Sequence, residues 1–158
     1  MGLDSYLSVR KYVSGYDFSQ PAEKKAYAGL LKTFGITAAD KLQKHTPSGE
    51  IQLTVGYWRK ANAIHKWFVD KCQEGRDECQ ETYVSVEQLT ELRDICSRVL
   101  ADHSLARTLL PTASGFFFGS TDYDEWYYRD LESTVEQLNS VLNNKKFKDC
   151  SFSYRSSW

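Results

Sequence analysis

Aromatic, basic and amide side chains are concentrated between residues 57 and 68, in the stretch YWRKANAIHKWF. Arg59 and Lys60 could neutralise an anionic group, Asn62 could donate and accept hydrogen bonds, and Trp58 could stack on a planar group. These residue types at this spacing indicate a binding site for a charged, planar ligand. They do not indicate a particular reaction.

His65 is the candidate for acid–base chemistry in the same stretch, because an imidazole titrates near neutral pH and Arg59 and Lys66 would attract an anionic substrate. The alternative, which we favour, is an imidazole hydrogen-bonded at the edge of the core. Neither a G-x-S-x-G nucleophile motif nor a phosphate loop with its Lys occurs at the glycines 115 and 119. The sequence therefore favours a protein that is not an enzyme, and His65 is its one candidate catalytic residue.

A second stretch, SGFFFGSTDYDEWYY at residues 114–128, also mixes aromatics with hydrogen-bonding groups. Ser120 and Thr121 precede a predicted long helix, and a helix start of this kind can hold a phosphate. The three consecutive aromatics from Trp126 onward cannot all face inward from one helix, so at least one ring should be exposed. An exposed ring near Arg59 would suit a planar ligand or a protein partner.

The candidate ligand-binding residues share a positive charge, an aromatic ring or a short hydrogen-bonding group, and they are Trp58, Arg59, Lys60, Asn62, His65, Ser120, Thr121, Tyr123 and Trp126. We expect no metal site and no cofactor. The four cysteines lack a close CxxC pair, and the acids form runs instead of converging ligand sets. The cysteines are more simply small buried side chains.

The length of 158 residues predicts a single domain over 1–158 that can bury a substantial core without a metal or a disulfide. A formal net charge of -1 excludes a globally basic nucleic-acid binder. The start of the chain lacks the positive charge of a signal peptide, and no apolar run is long enough to span a membrane. We therefore expect a cytoplasmic protein without a membrane partner.

The hydrophobic periodicity predicts an α+β fold, in which a small and mainly antiparallel sheet packs against three to four helices. The principal strands are predicted near 5–13, 50–56 and 147–155, and the longest helices near 57–74, 86–101 and 122–143. A further helix is predicted over 21–34, an edge strand over 82–84 and a short helical turn over 105–110.

Two local patterns set the helix positions. Gly56 is expected to end the second strand and begin a central helix whose apolar residues fall on two sides, so that neighbours should pack on both. Ser85 and Gln88 have the spacing of a capping box at the start of the third helix. Thr121 or Asp122 is expected to cap the last long helix, with the acids that follow forming a solvated face.

Three blocks of the chain resemble a family of short, uncharacterised proteins encoded by bacteriophages and prophages. The blocks are the MGLD start, YWRKANAIHKWF at residues 57–68 and SGFFFGSTDYDEWYY at residues 114–128. The resemblance carries no activity that can be transferred residue by residue. It implies an accessory phage protein in the cytoplasm of its bacterial host, where such proteins act on host enzymes or host defences.

Three classes of function remain open. The first is a noncatalytic binder that sequesters a small anionic, nucleotide-like molecule through Arg59, Lys60 and an aromatic ring. The second is a protein-binding inhibitor of a host enzyme or defence complex, using an exposed aromatic patch or acidic runs that imitate nucleic-acid phosphates. The third is a small hydrolase or nuclease that uses His65. We favour the first, with the second close behind it.

Overall fold

A computed structural model describes residues 2–40 and 47–158 of the chain. Its described residues form one four-stranded antiparallel sheet and five helices, which confirms the predicted α+β class. The strands are β1 (Asp4–Ser14), β2 (Ser48–Arg59), β3 (Thr82–Val84) and β4 (Ser151–Ser157), in the order β2-β1-β4-β3. The helices are α1 (Pro21–Thr33), α2 (Asn62–Cys72), α3 (Val86–Ala101), α4 (Ala106–Leu109) and α5 (Glu125–Leu142).

The chain divides into two compact units. The larger unit contains Met1–Val9 and Leu53–Trp158, and the smaller unit contains Arg10–Gln52. The single domain expected from the length of the chain stays a prediction. All of the candidate ligand-binding residues belong to the larger unit.

The smaller unit is built around α1, which begins at Pro21 as its sequence predicts and ends before Gly35, a residue with a φ of 70°. Tyr27 is the buried residue of this helix. A Cβ atom at position 15 would lie 2.5 Å from the Tyr27 ring, so the close approach requires Gly15. Arg10 and Glu50 form an ion pair at 3.1 Å in this unit.

Helix α2 lies at the centre of the larger unit. It contacts α3, α5 and β3, and residues on both of its predicted apolar sides, including Ala63, Ile64 and Trp67, are buried. The Phe68 ring stacks on the Tyr154 ring of β4 with 3.9 Å between the ring centroids. The prediction of a helix packed on both sides is therefore confirmed, and the helix connects the sheet to α3 and α5.

The predicted start of this helix near residue 57 is wrong, because β2 continues through Gly56 and Trp58 to Arg59. Aromatic residues are favoured in strands as well as in helices, and Gly56 permits a close approach instead of ending the strand. A Cβ atom at position 56 would lie 3.1 Å from the Leu7 Cβ atom. The turn into α2 falls at Lys60, whose φ of 59° is left-handed.

Two other boundaries also differ from the sequence prediction. Helix α5 begins at Glu125 and not near residue 122, because Asp124 caps it by accepting hydrogen bonds from the backbone N–H groups of residues 126 and 127. Strand β4 begins at Ser151 and not at residue 147. The Asn144 side chain accepts a hydrogen bond from the Lys146 N–H and stabilises a short 3₁₀ turn there.

The third helix follows the sequence prediction closely. The Ser85 Oγ atom accepts a hydrogen bond from the Gln88 N–H at 3.1 Å, and the Gln88 Oε1 atom accepts one from the Ser85 N–H at 2.9 Å. Helix α3 packs against α5 through buried residues that include Leu89 and Leu92. No helix in residues 2–40 and 47–158 is long and apolar enough to cross a membrane.

We expect Leu92→Ala to lower the free energy of unfolding by about 2–5 kcal/mol, because it leaves a cavity where a fully buried side chain packs. Leu53→Ala is the matched control, since Leu53 is 58% exposed and its truncation should change stability by less than about 0.5 kcal/mol. Urea denaturation of both variants measures the difference. Equal losses in the two variants would contradict the assignment of the core.

Candidate functional site

A cavity of about 340 Å³ lies within the larger unit, between the end of β2, the start of α2, the loop after Pro111 and the first turns of α5. Its volume is near the lower end of the range for small-molecule sites, roughly 300–1,000 Å³. Fifteen residues from these segments line it: Arg59, Lys60, Ala61, Asn62, Ala63, Ile64, Thr112, Gly119, Ser120, Asp122, Asp124, Trp126, Tyr127, Asp130 and Leu131.

Hydrogen bonds between β2 and α5 hold two walls of this cavity together. The buried Trp58 indole donates from Nε1 to the Thr134 hydroxyl at 2.9 Å. The Gln137 side chain accepts from the Tyr57 N–H at 2.7 Å and donates to the Tyr57 carbonyl at 3.2 Å. Arg59 follows directly on the strand, and Asp130 lies one helical turn before Thr134, so the same contacts bring both residues to the cavity.

Asn62 holds the third wall, which is the loop after Pro111. Its Nδ2 atom donates to the carbonyls of Phe118 and Ser120 at 3.1 and 2.8 Å. Its Oδ1 atom accepts from the Ala113 N–H at 3.0 Å. The side chain is only 4% exposed, so these bonds are shielded from water and are costly to lose.

The loop then passes very close to the β2–α2 connection. The φ of Gly119 is 88°, and a Cβ atom at that position would lie 3.3 Å from the Lys60 Cβ atom. The Lys60 N–H in turn donates to the Leu3 carbonyl at 2.7 Å, and the Leu3 N–H donates to the Phe117 carbonyl at 3.3 Å. The left-handed Lys60 is therefore held by the N-terminal segment on one side and approached by Gly119 on the other.

Further hydrogen bonds attach the loop to α5 and to the segment just before it. The Tyr127 hydroxyl donates to the Leu110 carbonyl at 2.8 Å, and the Thr112 hydroxyl donates to the Thr121 carbonyl at 3.0 Å. The Thr112 N–H donates to the Tyr123 hydroxyl at 3.3 Å. The cavity is thus preformed by hydrogen bonds between its walls.

The cavity contains two positive charges that have no partner among the residues that the structure describes. Neither the Arg59 side chain nor the Lys60 side chain forms a hydrogen bond or an ion pair with any residue in the described ranges. Elsewhere in the larger unit, cations such as Lys66 and Arg76 pair with carboxylates close to them in sequence. Arg59 and Lys60 are therefore available to an anionic group of a ligand.

Carboxylates lie at the start of α5, where Ser120 and Thr121 were predicted to bind a phosphate, and that call stays a prediction. The Asp124 carboxylate caps the helix by accepting hydrogen bonds from the backbone N–H groups of Trp126 and Tyr127. The Ser120 hydroxyl donates to the Asp122 carboxylate at 3.1 Å, so a second negative charge lies beside it. The positive charges of the cavity are those of Arg59 and Lys60.

Asp130 is a partly buried carboxylate in the lining of the cavity. Its burial raises the pKa of Asp130 to about 6, and the nearby charge of Asp124 contributes in the same direction. The side chain forms no hydrogen bond or ion pair with the described residues. Near pH 7 it is mostly an ionised, unpaired carboxylate that can only accept hydrogen bonds.

The structure brings five of the nine candidate ligand-binding residues to the cavity: Arg59, Lys60, Asn62, Ser120 and Trp126. The other four lie outside its lining. Trp58 is 3% exposed and packs under the site. Thr121 and Tyr123 contribute to the hydrogen bonds that fix the loop, and His65 lies in a separate network.

The His65 side chain is 1% exposed, and both of its ring nitrogens have partners. Its Nε2 atom is 2.9 Å from an Asp77 carboxylate oxygen, and its Nδ1 atom is 2.8 Å from the Tyr154 hydroxyl. Because an ionised carboxylate only accepts, Nε2 carries a proton. The Tyr154 hydroxyl also donates a hydrogen bond to the Ser5 hydroxyl, and the Asp77 carboxylate accepts one from the Trp158 indole. This network therefore connects residues near both ends of the chain. The geometry favours the interpretation of His65 as a hydrogen-bonded core residue.

Sequence reasoning missed the acidic side of the cavity. Asp122, Asp124 and Asp130 belong to a run that we expected to be a solvated face, yet all three line the cavity. A signal was present in the spacing, because Asp130 follows Trp126 by four residues and must share its face of the helix.

No group of three or more His, Cys, Asp or Glu side chains could hold a metal ion among the residues that the structure describes. The cysteines are free thiols, and burial raises the pKa of both Cys72 and Cys96 to about 12. Comparison of the chain with protein-family models, curated proteins and solved structures found no match.

We expect Asp130→Asn to make the free protein more stable at about pH 8 than the parent, and the advantage to vanish near pH 4. Folding raises the pKa of this carboxyl from 3.8 to about 6, so the ionised form costs stability above that pH. The cost declines as the pH falls from about 6 to about 4, where the group is protonated in both states. Urea denaturation at a series of pH values measures it, and a difference that does not depend on pH would contradict the assignment.

Proposed function

We propose that this chain is a noncatalytic binding protein that sequesters a small anionic, nucleotide-like molecule in the cavity beside Arg59. One observation carries the proposal: Arg59, Lys60 and the exposed Trp126 ring line the same cavity. Neither Arg59 nor Lys60 has a hydrogen-bond or ion-pair partner among the described residues. A nucleotide offers a group for each of them, because its phosphate is anionic and its base is a flat aromatic ring.

The form of the cavity supports binding over catalysis by His65. Hydrogen bonds from Asn62, Trp58 and Tyr127 preform its walls, and a preformed site loses little conformational freedom when a ligand enters. His65 is buried outside the lining, with both ring nitrogens engaged. It therefore has no position from which to take a proton from a ligand in this cavity.

The resemblance to phage proteins gives the proposal its biological setting. A phage accessory protein that binds a host signalling compound tightly would counter host defence without destroying the compound. Such a role needs high affinity and slow release, for which a small, preformed site is suited. The cavity volume of about 340 Å³ fits one nucleotide-sized molecule better than a large oligonucleotide.

A second function, inhibition of a host protein, is favoured by a different surface. Phe116 is 80% exposed and Phe117 is 46% exposed, and their ring centroids are 4.3 Å apart. Phe117 also has a φ of 72°, which is an uncommon conformation for a bulky residue. Exposed aromatic pairs of this kind are common anchors in protein interfaces.

We expect the purified protein, incubated with mixed cellular nucleotides, to retain an anionic compound through washing and to release it unaltered on heating. Arg59→Ala should weaken this binding by about tenfold to hundredfold, because one hydrogen bond to a charged group contributes about 1.5–3 kcal/mol. Arg76→Ala is the control, since Arg76 lies outside the cavity and pairs with Glu74 on an exposed surface. Mass spectrometry of the released material is the measurement.

Three results would contradict the proposal in different ways. Release of a chemically altered compound would make the protein an enzyme. If the Arg59→Ala variant retained the compound as well as the parent protein does, the binding site would lie outside this cavity. Failure to retain any compound, together with capture of a host protein that is lost in a Phe116→Ala variant, would favour the inhibitor.

A further inference from the structure

The Asp130 carboxylate is a feature of the cavity that a purely anionic ligand would not need. Its carboxylate lies in the same cavity as Arg59 and Lys60, yet it has no hydrogen-bond or ion-pair partner among the described residues. A half-buried, unpaired carboxylate destabilises the free protein and would repel a ligand that carried only negative charge. A ligand that fits this cavity must therefore also present hydrogen-bond donors.

The position of Asp130 indicates which part of a nucleotide would meet it. Asp130 follows Trp126 by four residues on α5, so the two side chains project from the same face of the helix on successive turns. Trp126 is 62% exposed, and the Arg129 guanidinium lies over its ring at 5.3 Å from the centroid. Arg129 covers one face of the indole, and a planar base stacked on the other face would have its edge next to the Asp130 carboxylate.

The chemistry of the carboxylate then restricts the base. The pKa of Asp130, raised to about 6 by burial, leaves the group ionised at about pH 7.5, where both of its oxygens only accept hydrogen bonds. Guanine carries two adjacent N–H donors, N1–H and the 2-amino group, on one edge. Adenine and cytosine place an acceptor nitrogen beside their amino group, and uracil places a carbonyl on each side of its single N–H.

We propose that Asp130 selects guanine nucleotides, by accepting the N1–H and 2-amino hydrogen bonds of a base stacked on Trp126 while Arg59 and Lys60 bind the phosphate. This inference rests on the proposed function, and it names the class of ligand for the same cavity. The two charge signs in the cavity then have separate roles. Arg59 and Lys60 bind the phosphate, which all nucleotides share, and Asp130 hydrogen-bonds the base, by which nucleotides differ.

Isothermal titration with GMP, IMP, AMP and UMP at about pH 7.5 tests the inference. IMP differs from GMP only by the missing 2-amino group, so we expect GMP to bind at least about tenfold more tightly than IMP. AMP and UMP should bind more weakly still. Trp126→Ala should weaken GMP and IMP alike, because stacking does not depend on the 2-amino group.

The Asp130→Asn variant tests whether Asp130 is the residue that distinguishes GMP from IMP. This variant should bind GMP no more tightly than IMP, because its amide has one accepting oxygen and an amino group that faces the donors of guanine. Asp94→Asn is the matched control and should keep the preference, since Asp94 lies on α3 outside the cavity. A thermal melt of each variant shows that it is folded before titration.

The outcomes separate the two proposals. If none of the four nucleotides binds, the selection of guanine is overturned, whereas the proposed function fails only if the protein also retains no compound from the mixed cellular nucleotides. If they bind with similar affinity, or if another base binds most tightly, the nucleotide site stands and the selection of guanine is overturned. A preference for GMP over IMP that persists in Asp130→Asn would overturn the role of Asp130. If that variant does not fold, the comparison of GMP with IMP in the parent protein still decides the ligand class.

Discussion

The buried side-chain amide of Asn62 is the interaction on which the cavity depends. The segment between α4 and α5 that carries Gly119 and Ser120 contains no helix or strand of its own in the described residues, so its backbone groups need partners from elsewhere. Asn62 provides one acceptor and two donors at the start of α2, and it uses all of them on this segment. An aspartate could not donate to the two carbonyls, and an alanine could satisfy none of the three groups.

The contacts between β2 and α5 explain why opposite charges meet in one place. Strand β2 is attached to α5 through Trp58 and Gln137, and it ends at Arg59 immediately before the turn into α2. Asp124, which caps α5, and Asp130, in the second turn of the helix, line the same cavity. The result is a small site of mixed charge, which is better suited to a ligand with both an anionic group and hydrogen-bond donors than to a simple anion.

Much of the fold follows from local patterns in the sequence. The hydrophobic periodicity predicted β1, the capping box predicted the start of α3, and the two apolar sides of α2 predicted how that helix is packed. Residues 57–59 were predicted to be helical but belong to β2, and the local sequence could not have shown this. Tyr57 and Trp58 suit either structure, and the deciding contacts come from Gln137 and Thr134, about 80 residues away.

The candidate site was predictable in its residue types more than in its geometry. Arg59, Lys60 and Trp126 were chosen for charge and aromatic surface, and they do line one cavity. Trp58 and His65 have the same kinds of side chain, but burial assigns them to the core. Exposure depends on the packing of α5 against β2, which no short stretch of sequence contains.

The most direct test of the account is the location of nucleotide binding, measured by NMR during a titration with GMP. The four tryptophan indole N–H groups act as reporters in different parts of the larger unit. We predict that the Trp126 indole and the Arg59 Nε–H resonances shift with saturation, while those of the buried Trp58 and Trp67 do not. Shifts confined to residues outside the cavity, such as the Phe116–Phe117 loop, or no shifts at all, would contradict the account.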